Sequence, residues 1–221
     1  MQIRVSTRPN RRRSGRPSPS ARRRAGRTKE RILEVALGLF NARGTPAVST
    51  NRIARALGMS PGNLYYHFRN KEEIIRSLLE RLSREWEPLY TLPATRQPAL
   101  NEVDGVLRGH LYTLRRYRFI FREITALTRR HPGLRVQFDR ERSRGHKRFV
   151  HLINGLVRSG IMRMPDGRNE VTTLADTCLM MAAFWLPFVE LGNGHVSDRK
   201  IEEGVNTLRL ILRPYMTGAN R

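Results

Sequence analysis

One short stretch of this chain restricts the fold more than any other, because it places a tight turn between two segments of helical pattern. From Ser49 to Lys71 it reads STNRIARALGMSPGNLYYHFRNK. Gly58 follows apolar residues and can end a helix in the left-handed conformation, which glycine adopts without steric cost. Ser60 is a favoured N-cap, and Pro61 suits the first helical position after it. The pattern predicts two helices joined by three or four residues, which is the helix-turn-helix arrangement.

The second helix of this pair has one apolar side and one polar side. Leu64 and Phe68 are four residues apart and should face the interior. Outward hydroxyl, imidazole and amide groups can bond to phosphate oxygens or to base edges. We expect the outward residues to be Gly62, Asn63, Tyr66 and His67. Tyr65 lies at the boundary, and the alternative is that Tyr65 and Tyr66 pack against another helix. Thr50, as N-cap of the preceding helix, would add an anion site.

The segment GMSPGNLYYHFRNKEEI closely resembles the recognition-helix signature of TetR-type (TetR/AcrR) transcriptional regulators. The resemblance is detailed from Arg27 to Ile75 and extends further only through length and helical pattern. It implies an all-α fold, with an N-terminal three-helix helix-turn-helix DNA-binding domain followed by a helical ligand-binding and dimerisation domain. It implies that the phosphates of double-stranded DNA are held by Thr50, Ser60, Tyr66, His67 and Lys71. It implies that base edges are faced by Asn51, Gly62, Asn63 and Tyr65.

The charge of the chain favours a polyanionic partner. The 221 residues include 42 Lys and Arg against 19 Asp and Glu, which gives a formal net charge of +23. Such an excess makes nucleic acid the expected partner. The single Cys178 excludes an internal disulfide, and no Cys-x-x-Cys zinc pattern occurs. We therefore expect no metal, no cofactor and a reducing, cytoplasmic location.

The first 27 residues are predicted to be a disordered, Arg-rich arm. They contain ten Arg, three Pro and no acidic residue, with only five apolar residues, which are too few to form a core. Such an arm suits phosphates or a narrow minor groove. A solvated tail without a partner is the alternative. The prolines disfavour an organelle-targeting helix, and the lack of an apolar run excludes a secretory signal.

The helical period sets the remaining boundaries. A first helix should begin at Thr28 and end at Gly44, and a longer one should begin after Asn70. We expect the arm over 1–27, the helix-turn-helix DNA-binding domain over 28–75 and the helical ligand-binding and dimerisation domain over 76–221. Prolines between 88 and 98 break the period. Helices should follow over 100–114, 119–128 and 134–157. The charged run DRERSRGHKR interrupts the apolar pattern of the last one and is most simply an exposed face. Gly160 and the cluster Pro165, Asp166 and Gly167 should then turn the chain.

The last two helical segments indicate how the chain assembles. The helix predicted from Val171 to Leu191 is apolar almost all round through the run CLMMAAFWLPFV, but the twelve residues of that run fall short of the about twenty that span a membrane. No membrane is expected, and such a helix must be buried on more than one side. With the apolar stripe from Ile201 to Tyr215 it resembles the dimer interface of TetR-type proteins. A monomeric core helix is the alternative, but two recognition helices about 35 Å apart read a palindrome better, so we expect a homodimer.

The resemblance implies a sequence-specific DNA-binding transcriptional regulator, expected to be a repressor that a small-molecule effector releases from a palindromic operator. The effector would shift the helix over 71–87, and a coupling of about 1 to 3 kcal/mol is sufficient for release. Candidate ligand-binding residues are aromatic side chains with two polar groups, although each could be ordinary core. They are His110, Tyr112, Phe121, Phe138, Phe184, Trp185, Phe188 and Glu190.

Two other classes of function compete with this interpretation. The six His come with no nucleophile motif, no phosphate-binding loop and no paired His and Glu, so no catalytic residues and no enzyme are expected. The remaining alternative is a non-specific nucleic-acid-binding architectural protein driven by the Arg-rich arm. A sequence-specific protein should stay bound to its site in the presence of excess random DNA, whereas a protein that binds through charge alone should be displaced.

Overall fold

The computed structural model describes residues 18–90, 100–164, 169–193 and 195–217. Within these ranges the chain is helical, and the expected all-α class is confirmed. The α-helices are Pro19–Arg43 (α1), Thr50–Ala56 (α2), Pro61–His67 (α3), Lys71–Trp86 (α4), Leu100–Arg116 (α5), Arg118–Arg130 (α6), Pro132–Arg158 (α7), Glu170–Asn193 (α8) and Asp198–Leu212 (α9). Short 3-10 helices, Glu87–Tyr90 and Arg213–Tyr215, follow α4 and α9.

Two hydrophobic cores hold the described residues together. The N-terminal core joins α1 to α4 with α6 and the start of α7, and it includes Phe40, Leu64 and Phe119. The C-terminal core joins α5, α7, α8 and α9. Full burial of a large apolar side chain contributes about 1.5 to 3 kcal/mol. Trp86, the last residue of α4, packs against both cores, so α4 connects the two halves.

The boundary predicted between residues 75 and 76 does not coincide with a break in the packing. Helix α4 runs through it to Trp86, and its Leu78 and Leu82 lie in the N-terminal core. The core also takes Phe119 and Ile120 from α6. The three-helix module therefore needs apolar partners that lie far along the chain.

Helix α1 begins nine residues before the predicted start at Thr28. Pro19 occupies its first position, where the fixed φ of proline fits a helix, and the Arg and Ala residues that follow are good helix formers. The prediction of disorder therefore does not hold for residues 19–27, while residues 1–17 of the arm lie outside the described residues. Gly44 ends the helix with a φ of 73°, as predicted.

The charged run DRERSRGHKR forms an exposed to half-buried stretch of α7, in agreement with the expectation of an exposed face. The helix continues from Pro132 to Arg158, because Arg140 and Arg142 extend into solvent while Glu141 bonds to Ser83 of α4. The Pro, Asp and Gly cluster predicted to form the next turn, at 165–167, lies outside the described residues. The prolines at 93 and 98 lie outside them as well.

Helix α8 covers the predicted helix over 171–191 and extends one residue before it and two residues after it. By length and composition the 23-residue stretch Glu170–Gly192 could cross a membrane, because it contains an 18-residue window with a mean hydropathy of 1.5. The argument from the twelve-residue run was therefore too narrow. One side packs into the C-terminal core through Cys178 and Leu186. On the other side large apolar side chains are exposed, and we call them the α8 outer face: Met180, Phe184, Phe188 and Leu191.

A network of ion pairs joins α1, α4 and the end of α5. Arg81 bonds to Glu34 at 2.7 Å and to Glu85 at 3.3 Å. Arg116 reaches the same two carboxylates, both at 3.1 Å, and the Tyr117 hydroxyl donates to Glu85 at 2.7 Å. The hydrogen bond from Arg81 lowers the pKa of Glu34. These contacts fix α4 between the two halves.

Candidate nucleic-acid interface

Helix α2 is capped one residue earlier than the sequence indicated. Ser49, in the extended conformation, is the N-cap, and its hydroxyl accepts from the Arg52 backbone N–H at 3.2 Å. Thr50, predicted to be the cap, is instead the first helical residue. Its hydroxyl forms a 2.9 Å hydrogen bond with the Tyr65 hydroxyl. This bond ties the start of α2 to the middle of α3.

The turn between α2 and α3 has the predicted geometry. Gly58 has a φ of 65°, the left-handed conformation that favours glycine. Ser60 is the N-cap of α3, and its hydroxyl accepts from the Asn63 N–H at 3.2 Å. Pro61 occupies the first turn. The orientation of α3 is therefore set by local backbone chemistry.

The exposed side of α3 forms a polar ridge. Leu64 and Phe68 are buried in the N-terminal core, as predicted. The Tyr66 side chain is 81% exposed, so it is not packed against another helix. We call the exposed α3 residues the α3 ridge: Pro61, Gly62, Asn63, Tyr65 and Tyr66.

His67 is the exception among the residues expected to point outward. It is only 9% exposed, because three residues after Leu64 it shares the inner side of the helix. Its ring lies edge-on to Tyr66, with centroids 5.2 Å apart. Burial, and then the nearby charge of Lys29, lower the pKa of His67. The ring supports Tyr66 from behind the ridge.

Lys71, expected to hold a phosphate, also has a structural contact. Its Nζ donates to the Thr45 carbonyl at 2.6 Å, and Thr45 is held by Glu123 of α6 through its backbone N–H at 3.0 Å. Burial lowers the pKa of Lys71, while Glu123 opposes that effect. An ammonium has three donors, so two N–H groups remain beyond the bond to Thr45.

The groove beside α2 contains two cations that the sequence reasoning did not select. Ser49, Asn51, Arg52, Arg55 and Lys71 line it. The spacing of three residues between the two arginines, on the exposed side of a short helix, was the available signal. No acidic residue occurs from residue 35 to residue 71. The ridge and the groove therefore form an electropositive surface that suits phosphate oxygens.

In the second half, one candidate ligand-binding residue lines an enclosed cavity. His110 Nδ1 lies 2.6 Å from the Tyr90 hydroxyl, and its ring stacks on Trp86 with centroids 4.6 Å apart. Burial lowers the pKa of His110 to about 4. Phe149 and Cys178 also line the cavity, whose volume is about 10 Å³, close to that of one water molecule.

The other candidates in this half lie apart from one another. Phe121 lies beside Trp86, with ring centroids 6.2 Å apart, and Phe138 packs against the N-terminal core. The Tyr112 hydroxyl donates to Asp198 at 3.4 Å, on the surface. The structure therefore does not gather these side chains around one pocket.

The remaining candidates belong to α8. Phe184 and Phe188 lie on the α8 outer face, and the Trp185 indole N–H donates to the Lys200 carbonyl at 2.8 Å. Glu190 pairs with Arg122 of α6. These residues contribute to packing and to an exposed apolar surface, and they do not line the cavity at His110.

The helix-turn-helix, its polar ridge and the helical second half define the class of the molecule, which is a DNA-binding transcriptional regulator. A family model described as "Bacterial regulatory proteins, tetR family" matches residues 32–78. A second family model, named TetR and described as "Bacterial transcriptional repressor", matches residues 81–221. The chain belongs to the TetR family of regulators, which bind DNA and are not enzymes.

Individual relatives agree with this assignment. The uncharacterised HTH-type regulator TtgW of Pseudomonas putida is 38% identical over 55 residues, which are 25% of this chain and 41% of TtgW. A TetR-family regulator from Marinobacter aquaeolei has a TM-score of 0.78 and 27% identity, over 86% of this chain and 91% of its own. A solved SmeT-triclosan complex has a TM-score of 0.64 over 88% and 94% of the two chains, and at 18% identity it shares the fold alone.

Proposed function

We propose that this protein is a cytoplasmic, homodimeric repressor that binds a palindromic operator and leaves it when a small molecule binds. The observation that carries the proposal is the exposed α3 ridge, set in a stretch of chain without acidic residues. A ridge of this kind fits the major groove of DNA. Family membership favours this function over that of a non-specific architectural protein.

The contacts divide between base edges and phosphates. Asn63, at the exposed start of α3, offers an amide that can donate and accept at a base edge. We assign base contacts also to Asn51, Gly62 and Tyr65, and the hydrogen bond to Thr50 holds the Tyr65 hydroxyl in place. We assign phosphate contacts to Thr50, Ser60, Tyr66, Lys71, Arg52 and Arg55. His67 acts by supporting Tyr66, because its ring is buried.

The α8 outer face is the surface through which we propose that the protein dimerises. Phe188 is 69% exposed and Leu191 is 87% exposed, and a contiguous apolar surface of this kind marks an interface. A second copy would cover it and place two α3 ridges on one face of the DNA. Two ridges read two half-sites, which is the basis of palindromic recognition.

We place the effector site at the cavity beside His110. Its lining is apolar apart from His110 and Tyr90, so a largely apolar molecule with one polar group would suit it. Trp86 stacks on His110 and ends α4, so a ligand that displaces His110 would move α4. SmeT, which shares the fold, has been solved as a complex with triclosan. The present cavity must widen to admit such a molecule.

Selection of bound fragments from random DNA tests the proposal. We expect one inverted repeat, with half-site centres about 34 to 36 Å apart or a multiple of that spacing. The Asn63→Ala variant should lose about 1 to 3 kcal/mol of discrimination at one base position. Ser143→Ala, at an exposed position of α7, is the matched control and should select the wild-type site. Recovery of unrelated fragments by the wild type would contradict the proposal and favour charge-driven binding.

A further inference from the structure

The first turns of α1 extend beyond the N-terminal core. The helix has 25 residues, yet its buried side chains begin only at Ile32. Between Ser18 and Arg31 the described side chains are exposed or half-buried. Lys29 and Glu30 still contact the helices of the N-terminal core, so about two and a half turns, residues 19–27, extend beyond it. They carry Arg22, Arg23, Arg24 and Arg27.

The side of α1 that packs into the core continues into this projection. Leu33 and Phe40 are buried on that side. Steps of four and three residues toward the N-terminus from Leu33 lead along the same side to Lys29, Gly26 and Arg22. Where the N-terminal core has large apolar side chains, this side of the projection has two cations, a glycine and the half-buried Ala25. One alanine is too small to form an apolar core, whereas the two cations match a polyanion.

Lys29 shows where the projection lies relative to the α3 ridge. Its Nζ is 5.6 Å from the centroid of the Phe68 ring, and Phe68 directly follows α3. The projection therefore starts at the C-terminal end of the recognition helix and leads away from the core. Arg22, seven residues before Lys29, lies about 10 Å further along the helix axis. That reach extends the electropositive surface past the end of α3.

We propose that residues 18–29 form a second DNA-contacting element, which binds the sugar-phosphate backbone beside the groove that α3 reads. Guanidinium groups bind phosphate oxygens in bidentate geometry. The element adds affinity and salt dependence without reading sequence, because phosphates are the same at every base pair. The inference rests on the proposed function, since it requires the α3 ridge to face DNA.

The test compares two variants that lose the same charge. In the first, Arg22, Arg23, Arg24 and Arg27 are replaced by Gln. In the control, Gln replaces four exposed arginines of the C-terminal half, which are Arg140, Arg142, Arg158 and Arg213. Fluorescence anisotropy with the selected operator gives the dissociation constant at salt concentrations from about 50 to about 300 mM. This range is wide enough to measure the slope that counterion release produces.

The first variant should flatten the log–log salt dependence by about 0.9 for each lost phosphate contact, and so by up to about 3.6 for four. Its preference for operator over random DNA should equal that of the wild type. The control should retain the wild-type slope. Far-ultraviolet circular dichroism on both variants establishes that the helices are retained.

Three outcomes would overturn the inference. An unchanged slope in the first variant would exclude phosphate contacts by this element. Equal flattening in both variants would assign the effect to net charge. A lost preference for the operator would assign base reading to the element. Failure of the proposed function is a different result, since the wild type would then show no preference for any sequence.

Discussion

At the scale of single residues, the most consequential side chain outside the DNA-binding surface is the buried His110. It bonds to Tyr90 and stacks on Trp86, so one imidazole touches both the 3-10 helix after α4 and the last residue of α4. Burial favours the uncharged ring and lowers the pKa of His110 to about 4 from its model-peptide value of 6.5. Protonation of the His110 ring would therefore disfavour its buried position.

This burial predicts a stability that depends on pH. Between pH 6.5 and pH 4 the unfolded chain protonates this imidazole while the folded protein resists. The contribution to stability is present above pH 6.5 and is lost as the pH falls toward 4. Urea unfolding at pH 7.5 and pH 5 should show a larger loss of unfolding free energy in the wild type than in His110→Gln. His151→Gln, at an exposed position, should retain the wild-type loss. Equal losses in all three proteins would contradict the assignment.

Some of the site residues could be predicted from local sequence, and others could not. Ser60 and Asn63 lie in a turn whose geometry depends on the few residues around Gly58, so their placement follows from the sequence. The inward position of His67 follows from its spacing from Leu64, whereas the lowering of its pKa depends in part on Lys29, which comes from another helix. The capping of α2 by Ser49 in place of Thr50 is a shift of one residue, and helix ends are the least predictable boundaries.

At the scale of elements, the cap of α3 is the contact most open to direct measurement. The Ser60 hydroxyl satisfies the Asn63 N–H, one of the four donors that a helix start leaves unpaired. Ser60→Ala should lower the unfolding free energy by about 1 kcal/mol, measured by urea denaturation. Ser60→Asn, which preserves a cap acceptor, should restore most of that loss. If both variants lost the same amount, the cap hydrogen bond would not be the cause.

The elements themselves were predicted where an apolar period marks them. The predicted helices over 100–114 and 119–128 match α5 and α6, because each has an apolar stripe with clear ends. The apolar period does not reveal helical turns whose side chains are all polar and exposed. This is why α1 begins nine residues before its predicted start, since Arg and Ala favour helices regardless of burial.

At the scale of the whole molecule, the α8 outer face determines the expected assembly. Replacing Phe184 and Phe188 by Glu would place two charges in an apolar interface, where they are costly. The double variant should be monomeric by analytical ultracentrifugation and should lose most of its operator affinity. Val136→Glu, at another exposed apolar position, on α7, should remain a dimer. A double variant that still dimerised would place the interface elsewhere.

The two-part organisation of the molecule was predictable from its sequence, whereas its internal connections were not. The arginine clusters, the turn at Gly58 and the apolar α8 are all local patterns. The docking of α6 onto the first helices arises from contacts such as the hydrogen bond that the Phe119 N–H of α6 donates to the Asn41 side-chain oxygen, at 3.1 Å. These partners are 78 positions apart, and a periodic pattern in the sequence does not reveal such pairs.

The shared N-terminal core limits how the parts of this regulator could be exchanged. A hybrid that joined another protein's first 75 residues to the remainder of this chain would divide α4. It would also leave Phe119, Ile120 and Leu127 against unfamiliar neighbours. A hybrid with another DNA specificity should therefore carry the matching surface of α6 together with the first three helices.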